Sequence, residues 1–456
     1  MRARRLSFQG WFVWAVWAAL LIALLVNIWR YGRNIPLAED WLLVAPYTGN
    51  ETDLPGWVWS QNNEHRLPLQ KLIMLGLLHL SGGDFRAGMY ASTLLMAAAS
   101  AALILTAAAV RGGSARWTDA FFPVLLLNLG HWENYVWGWQ MQFTVSIALM
   151  LCLLIAIVRS RTPDRAKWLA VGGIALALLP LSGANGLIVT LAAAPWALLA
   201  GFHSPGDRTS PVLGIGALAG LVLAGLYFVG YDRPDWTPAN PGFEQSVKAM
   251  TKIAAIGLAP VVWVKGGAFA FVALALLTLL ISALPILRAA ARAWFGSDSK
   301  ERERALGMLC FGAGMLGMIA GIGYGRAGYG PGAVELRYAL LVAPVFCLAY
   351  FGWQLYGARV GPWGQAALAA AAALCLPWNI AASHYWRDWY VNGMQAVERD
   401  IAAGKPADRI AADHHAFLLH WNEPLLADRI RMLEEAETGP FHTLRNRRED
   451  APGAAR

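Results

Sequence analysis

The stretch WFVWAVWAALLIALLVNIW, residues 11–29, decides the fold class. Its only polar side chain apart from the indoles is Asn27, and it carries no charge. As a helix it covers the ~30 Å hydrocarbon core of a bilayer. MRARR precedes it, as in a secretory leader. A leader, however, has a shorter apolar core and ends at a small-residue cleavage site. This run is longer and no A-x-A follows, so the expectation is an uncleaved first span with a cytoplasmic N-terminus.

Similar runs recur along the rest of the 456 residues, of which 57% are hydrophobic and 14% charged. Mean hydropathy is +0.43. Soluble domains carry ~25% charged residues. The runs are rich in Leu, Ala, Gly and Trp and lack the alternation of barrel strands. The expected fold is an all-α polytopic membrane protein of about eleven spans. The net charge of +8 resides largely in Arg and Lys of short loops, as the positive-inside rule requires. No basic helix is interleaved with aromatics, so nucleic acid is not an expected partner. Cys152, Cys310, Cys347 and Cys375 fall in apolar runs without ligand spacing. They read as small buried hydrophobes rather than a disulfide or zinc site.

Beyond the first span, residues 30–66 form a polar, Trp-rich outer loop. The apolar run at 67–80 is too short to span and is expected to lie in the interface. Spans follow at 85–110 and 119–129, and a fourth returns to RSRTPDRAK at 159–167. SGANG, 182–186, separates two short apolar halves expected to dip toward a cavity, because irregular backbone at membrane depth must line protein or water. A span at 212–229, an interfacial helix over 243–260 and a span ending at the basic tract 288–304 come next. Three more spans complete the set, the last two parted by GARVG, 357–361. The expected division is a transmembrane region 1–383, with its first external loop at 31–84, and a small outer helical tail at 384–456. No fixed-period repeat is visible.

The unusual polar residues collect on the outer side of this topology, and ionisable groups beside spans suggest function. NIPLAEDW, 34–41, places Glu39 next to Asp40. The pair reads either as a solvated loop or as a general base whose pKa is raised by mutual repulsion and the apolar rim of Leu37, Trp41 and Leu42. NNEHRLPLQKL, 62–72, offers Glu64, His65 and Arg66, either as an interfacial anchor or as recognition of an anionic head group with Arg66 as a phosphate fork. In GHWENYVWGWQMQF, 130–143, an aromatic belt explains Trp132 and Trp137. It explains Glu133, Asn134, Gln140 and Gln142 less well. Flat rings beside amides suit a sugar, which has apolar faces and hydroxyls. GYGRAGYGPGAVELRY, 323–338, surrounds Arg326 with five glycines before Arg337 and Tyr338. It reads as an anion cradle or a flexible connector.

Taken in order, these motifs resemble the GT-C superfamily of integral-membrane glycosyltransferases. The acidic pair Glu39–Asp40, the NEHRLPLQKL element and the following LSGGDFRAGMYAS are similar to the first-loop region of its protein mannosyltransferase and aminoarabinose-transferase branches. HWENYVWGWQMQ, SGANG and ELRY resemble elements of bacterial GT-C-like proteins. The resemblance covers residues 11–353. It implies a bacterial inner-membrane enzyme working at the periplasmic face. The donor would be a polyprenyl-phosphate-linked sugar, transferred with inversion to a glycan or glycolipid acceptor. It implies Asp40 as the favoured base, with Glu39 orienting the acceptor or binding a divalent cation, Mg or Mn, if one is used. Arg66, His65, Arg326 and Arg337 would hold the donor phosphate. Glu64, Trp132, Glu133, Asn134, Trp137, Gln140, Asn185 and Tyr338 would line the sugar and acceptor sites. Many branches have Asp-Glu where this chain has Glu-Asp, so either carboxylate could be the base. A transporter or flippase for a lipid-linked precursor is the competing class; it would call for repeat-related halves and ionisable groups at mid-membrane.

Overall fold

A computed structural model describes residues 7–202, 210–258, 268–295, 298–418 and 422–444. Expectations for the basic tails at 1–6 and 445–456 lie outside the described residues. Among the described residues there are fourteen principal helices: α1 Phe8–Tyr31, α2 Pro68–Ser81, α3 Arg86–Val110, α4 Met141–Arg159, α5 Arg165–Leu178, α6 Ala184–Phe202 and α7 Ser210–Tyr227; then α8 Phe243–Ile256, α9 Ala268–Phe295, α10 Ser299–Arg326, α11 Tyr338–Tyr356, α12 Gly361–Ala402, α13 Ala407–Leu418 and α14 Glu423–Glu435. Among the described residues nine helices are long and apolar enough to cross a membrane, and a shorter apolar helix, Pro211–Tyr227, joins them. The only sheet described is a two-stranded hairpin, Gln61–Asn62 against His65–Arg66. The chain is an all-α multi-pass membrane protein.

The first spans form where expected because charge and polarity flank unbroken apolar runs. Ser7 caps α1, its hydroxyl accepting from Gly10 N–H at 3.2 Å. The halves around SGANG, expected to be short, are each long enough to cross, at 18 and 19 residues. The helix expected over 119–129 does not form as one element. Residues 117–140 are instead a chain of short turns, the longest being Phe121–Leu126. Asn128 is the reason. Its Nδ2 donates to the carbonyls of Val124 and Leu125 at 3.0 Å, and its Oδ1 accepts from Gly130 N–H at 2.9 Å. His131 Nε2 lies 2.9 Å from Leu125 O, and the Tyr135 hydroxyl donates to Leu126 O. Side chains thus satisfy the carbonyls that a continuous helix would have satisfied, which lets broken backbone sit inside the bundle.

This broken segment runs antiparallel to α3. At one end Asp119 pairs with Arg111 just past α3. At the other Gly138 lies against Gly88, where a Cβ on Gly88 would come within 3.2 Å of Gly138 Cα. Residues 137–140 are thereby brought beside the first loop.

The C-terminal region packs onto that same loop. Helix α12 continues without a break through residue 384, so the expected boundary falls inside a helix. The Tyr390 hydroxyl accepts from Arg33 N–H at 3.1 Å, and Glu398 pairs with Arg33 at 3.2 Å. Phe441 meets Trp41 edge to face with centroids 6.2 Å apart. Trp41, Val44, Tyr390, Ile410, Ile430 and Phe441 share one apolar cluster. The tail is therefore the backing of the loop that carries Glu39 and Asp40.

Candidate functional site

Ala38 opens a 3-10 turn, Ala38–Leu43, with φ at +49°. A left-handed alanine is uncommon and persists only where its surroundings enforce it. Here Trp137 Nε1 donates to Leu37 O at 3.0 Å, and Asp40 Oδ2 accepts from Leu37 N–H at 3.3 Å.

Asp40 turns inward. It is 2% exposed, and its Oδ1 has no hydrogen-bond partner among the described residues. A Cβ on Gly138 would sit 3.2 Å from that oxygen, so only glycine fits there without a shift. Burial holds the Asp40 carboxyl well above its ordinary range, and the neighbouring Glu39 charge adds to the rise. Glu39 is half-buried as a residue, but its Oε2 is buried and has no hydrogen-bond partner among the described residues. Burial raises its pKa, while the charges of Arg337 and Arg326 pull it back.

Arg337 precedes α11 and joins two motifs that are distant in sequence. Its Nη1 donates to Glu133 Oε1 at 2.9 Å, and its backbone N–H donates to Glu133 Oε2 at 3.2 Å. Asn134 Nδ2 donates to Arg337 O at 3.2 Å. The guanidinium lies 5.6 Å from the Trp137 ring centroid and 5.9 Å from that of Tyr338. Burial alone would lower the Arg337 pKa; Glu133, Tyr338, Glu335 and Glu39 outweigh it and keep the charge.

Arg326 sits in the last turn of α10, over the rings of Tyr329 at 4.9 Å and Tyr338 at 5.5 Å. No ion pair to it is found among the described residues. The hairpin turn at Asn63, φ +50°, presents Glu64, whose Oε1 is reached by the hydroxyls of Tyr329 and Thr237 at 3.5 Å. Burial lowers the His65 pKa, Glu64 raises it and Arg326 lowers it again, so the ring is neutral at pH 7. His131 is buried as well. Because Nε2 faces a carbonyl, that nitrogen carries the proton.

Other expected site residues are used differently. Arg66 donates to the carbonyls of Tyr227, Val229 and Gly230 at 2.8–3.0 Å and to that of Trp59 at 2.7 Å, so three of its N–H groups tie the hairpin to the end of α7 and a fourth holds the segment before the hairpin. Trp132 is buried edge-on against Tyr390 at 5.2 Å and offers no open face. Gln140 is buried with its Oε1 unpartnered among the described residues. Asn185 opens α6 next to Gly183, where a Cβ would come within 2.9 Å of Leu67. Two glycines of the 323–338 stretch serve close packing: a Cβ on Gly323 would lie 2.7 Å from Met250 N in α8, and one on Gly328 would lie 2.8 Å from Ala239 O.

Three residues that sequence reasoning did not single out support the site. Gln70 Nε2 donates to Trp139 O at 3.0 Å and holds the 137–140 turn against α2. Gly138 makes room for Asp40, and Tyr329 links Arg326 to Glu64. Among the described residues no three His, Cys, Asp or Glu side chains gather to hold a metal ion.

The arrangement thus brings an acidic group of raised pKa within electrostatic reach of two guanidinium groups, which lie against tyrosine and tryptophan rings. Such a site can take a proton and stabilise an oxyanion or phosphate at once. No protein-family model matches this chain, and no curated protein matches it significantly in sequence.

Proposed function

We propose that this protein is a GT-C-like membrane glycosyltransferase, moving a sugar from a polyprenyl-phosphate donor to a glycan or glycolipid acceptor. One observation carries the reading: the Glu39 carboxyl lies within electrostatic reach of both Arg337 and Arg326, which lie against the Tyr338 ring from near either end of the 323–338 stretch. In an inverting transfer, Glu39 takes the proton of the acceptor hydroxyl as its oxygen bonds to the anomeric carbon. The bond from that carbon to the phosphate oxygen breaks, and the charge left on the polyprenyl phosphate is met by the two guanidinium groups. Asp40 positions the turn and does not meet the acceptor. Arg66 braces the loop, and neutral His65 offers a polar contact beside the phosphate. Tyr338, Trp137, Asn134 and Gln140 are buried and form the packing behind the arginines rather than a surface that meets the sugars. Should a divalent cation take part, Glu39 and the donor phosphate would hold it.

The proposed topology has eleven crossings: the nine long helices, α7, and the broken segment beside α3. With the N-terminus in the cytoplasm of a bacterial inner membrane, Glu39 then lies at the outer face, where α2 rests in the interface. The test is transfer of labelled sugar by proteoliposomes supplied with polyprenyl-phosphate sugars. Release of polyprenyl phosphate together with a glycosylated acceptor supports the reading. Movement of intact donor across the bilayer with no release would overturn it and identify a translocator.

A further inference from the structure

We propose a second binding site, for the head group of an anionic phospholipid, at the end of the bundle opposite Glu39. It does not depend on the enzymatic reading. A cavity of about 400 Å³ opens there between the starts of α1 and α12, lined by Gln9, Arg116, Trp117, Pro362, Trp363 and Ala366.

The polar groups at its base are already engaged. Thr118 Oγ1 lies 3.0 Å from the Tyr350 hydroxyl, and Gln365 Nε2 donates to Gln354 Oε1 at 3.3 Å. The nearest carboxylate in sequence, Asp119, is also taken. It pairs with the Arg111 guanidinium and accepts from the Tyr350 hydroxyl at 2.7 Å and from the Arg116 backbone N–H at 2.9 Å. The Arg116 guanidinium is left with no ion-pair partner among the described residues.

A free cation at the mouth of an apolar groove is complementary to a phosphodiester whose acyl chains lie along the groove. The position fits as well. Helices α1 and α12 both enter their apolar stretches here, so the groove opens at the level of the lipid head groups. Trp117 is 51% exposed and Trp363 77%, and such rings favour the boundary between head groups and hydrocarbon. Arg359, exposed on the turn before α12, adds positive charge at the same end. Basic pockets between spanning helices are a recurring form of anionic-lipid recognition.

The test uses the full-length protein in mild detergent, stripped of lipid and titrated with phosphatidylglycerol or phosphatidylcholine. Retention is read by native mass spectrometry. Wild type should retain phosphatidylglycerol in preference. Arg116→Gln should weaken that preference about fivefold, the effect of one cationic side chain near a charged lipid. Arg116→Lys should keep most of it, and Trp363→Ala should lower retention of both lipids. Equal retention of the two lipids by wild type, or an unchanged preference in Arg116→Gln of unaltered melting temperature, would overturn the site. A dimer lost in Trp363→Ala would overturn it too, because a second copy of the chain would then be the occupant.

Discussion

The Glu133–Arg337 pair links two motifs that lie 204 residues apart, and its strength follows from its geometry. The side chains are 11% and 21% exposed and share two hydrogen bonds. Glu133→Gln removes a charge but keeps the shape, so it loses about 1.5–3 kcal/mol, the range for a hydrogen bond to a charged group. Arg337→Met strands a buried carboxylate and costs about 3–5 kcal/mol. The double variant has no stranded charge, so it should cost less than the sum, with a coupling of about 1.5–3 kcal/mol. Reversible unfolding of the four proteins in mixed micelles, driven by rising SDS, measures this cycle. Costs that add within ~0.5 kcal/mol would refute the pairing as a buried interaction. Function should divide differently. Glu133→Gln leaves the phosphate-facing cation in place and stays within about tenfold of wild-type transfer, whereas Arg337→Met loses at least about a hundredfold.

Further outcomes follow from the same site. Glu39 acts deprotonated and its pKa lies above the ordinary 4.5, so transfer should rise with pH through an acidic limb above that value. Arg326→Gln removes a charge that lowers Glu39, and the limb should move to higher pH; a shift in the other direction contradicts the placement. Asp40, raised by burial, binds a proton in the native state at pH values where the unfolded chain has lost it. Its contribution to stability is therefore full below the ordinary 3.8 and falls as pH rises through the folded value. Asp40→Asn should accordingly gain melting temperature relative to wild type at pH 8 and lose that gain near pH 4, as differential scanning fluorimetry would show. Gly138→Ala places a methyl group 3.2 Å from Asp40 Oδ1, and about 1–3 kcal/mol of overpacking should appear as lowered stability with impaired transfer.

Much of the fold was legible in the sequence because lipid imposes a simple rule on it. The run at 11–29 became α1, Phe8–Tyr31, and the span expected at 85–110 became Arg86–Val110. The broken segment at 117–140 was not legible. Its backbone is satisfied by the side chains of Asn128, His131 and Tyr135, and hydropathy carries no sign of that. Arg66 was misleading for a related reason. A phosphate fork and a carbonyl clamp need the same guanidinium, and the carbonyls in question lie 161–164 residues away. Gly323 and Gly328 are ambiguous in the same way, since an anion cradle and a tight helix contact both require the absence of a Cβ. The motifs of the site could be read as polar clusters. That the charges of Arg337 and Arg326 act on Glu39 rather than on Asp40 follows the left-handed turn at Ala38, which no residue preference foretells.

The most direct measurement is transfer at saturating donor by Glu39→Gln and Asp40→Asn, each checked for folding. Glu39→Gln should lose about 10²–10⁴ in rate, the span ascribed to a general base. Asp40→Asn should keep activity within about tenfold of wild type, because its carboxylate only shapes the turn. Full activity in Glu39→Gln, or loss confined to Asp40→Asn, would contradict the account.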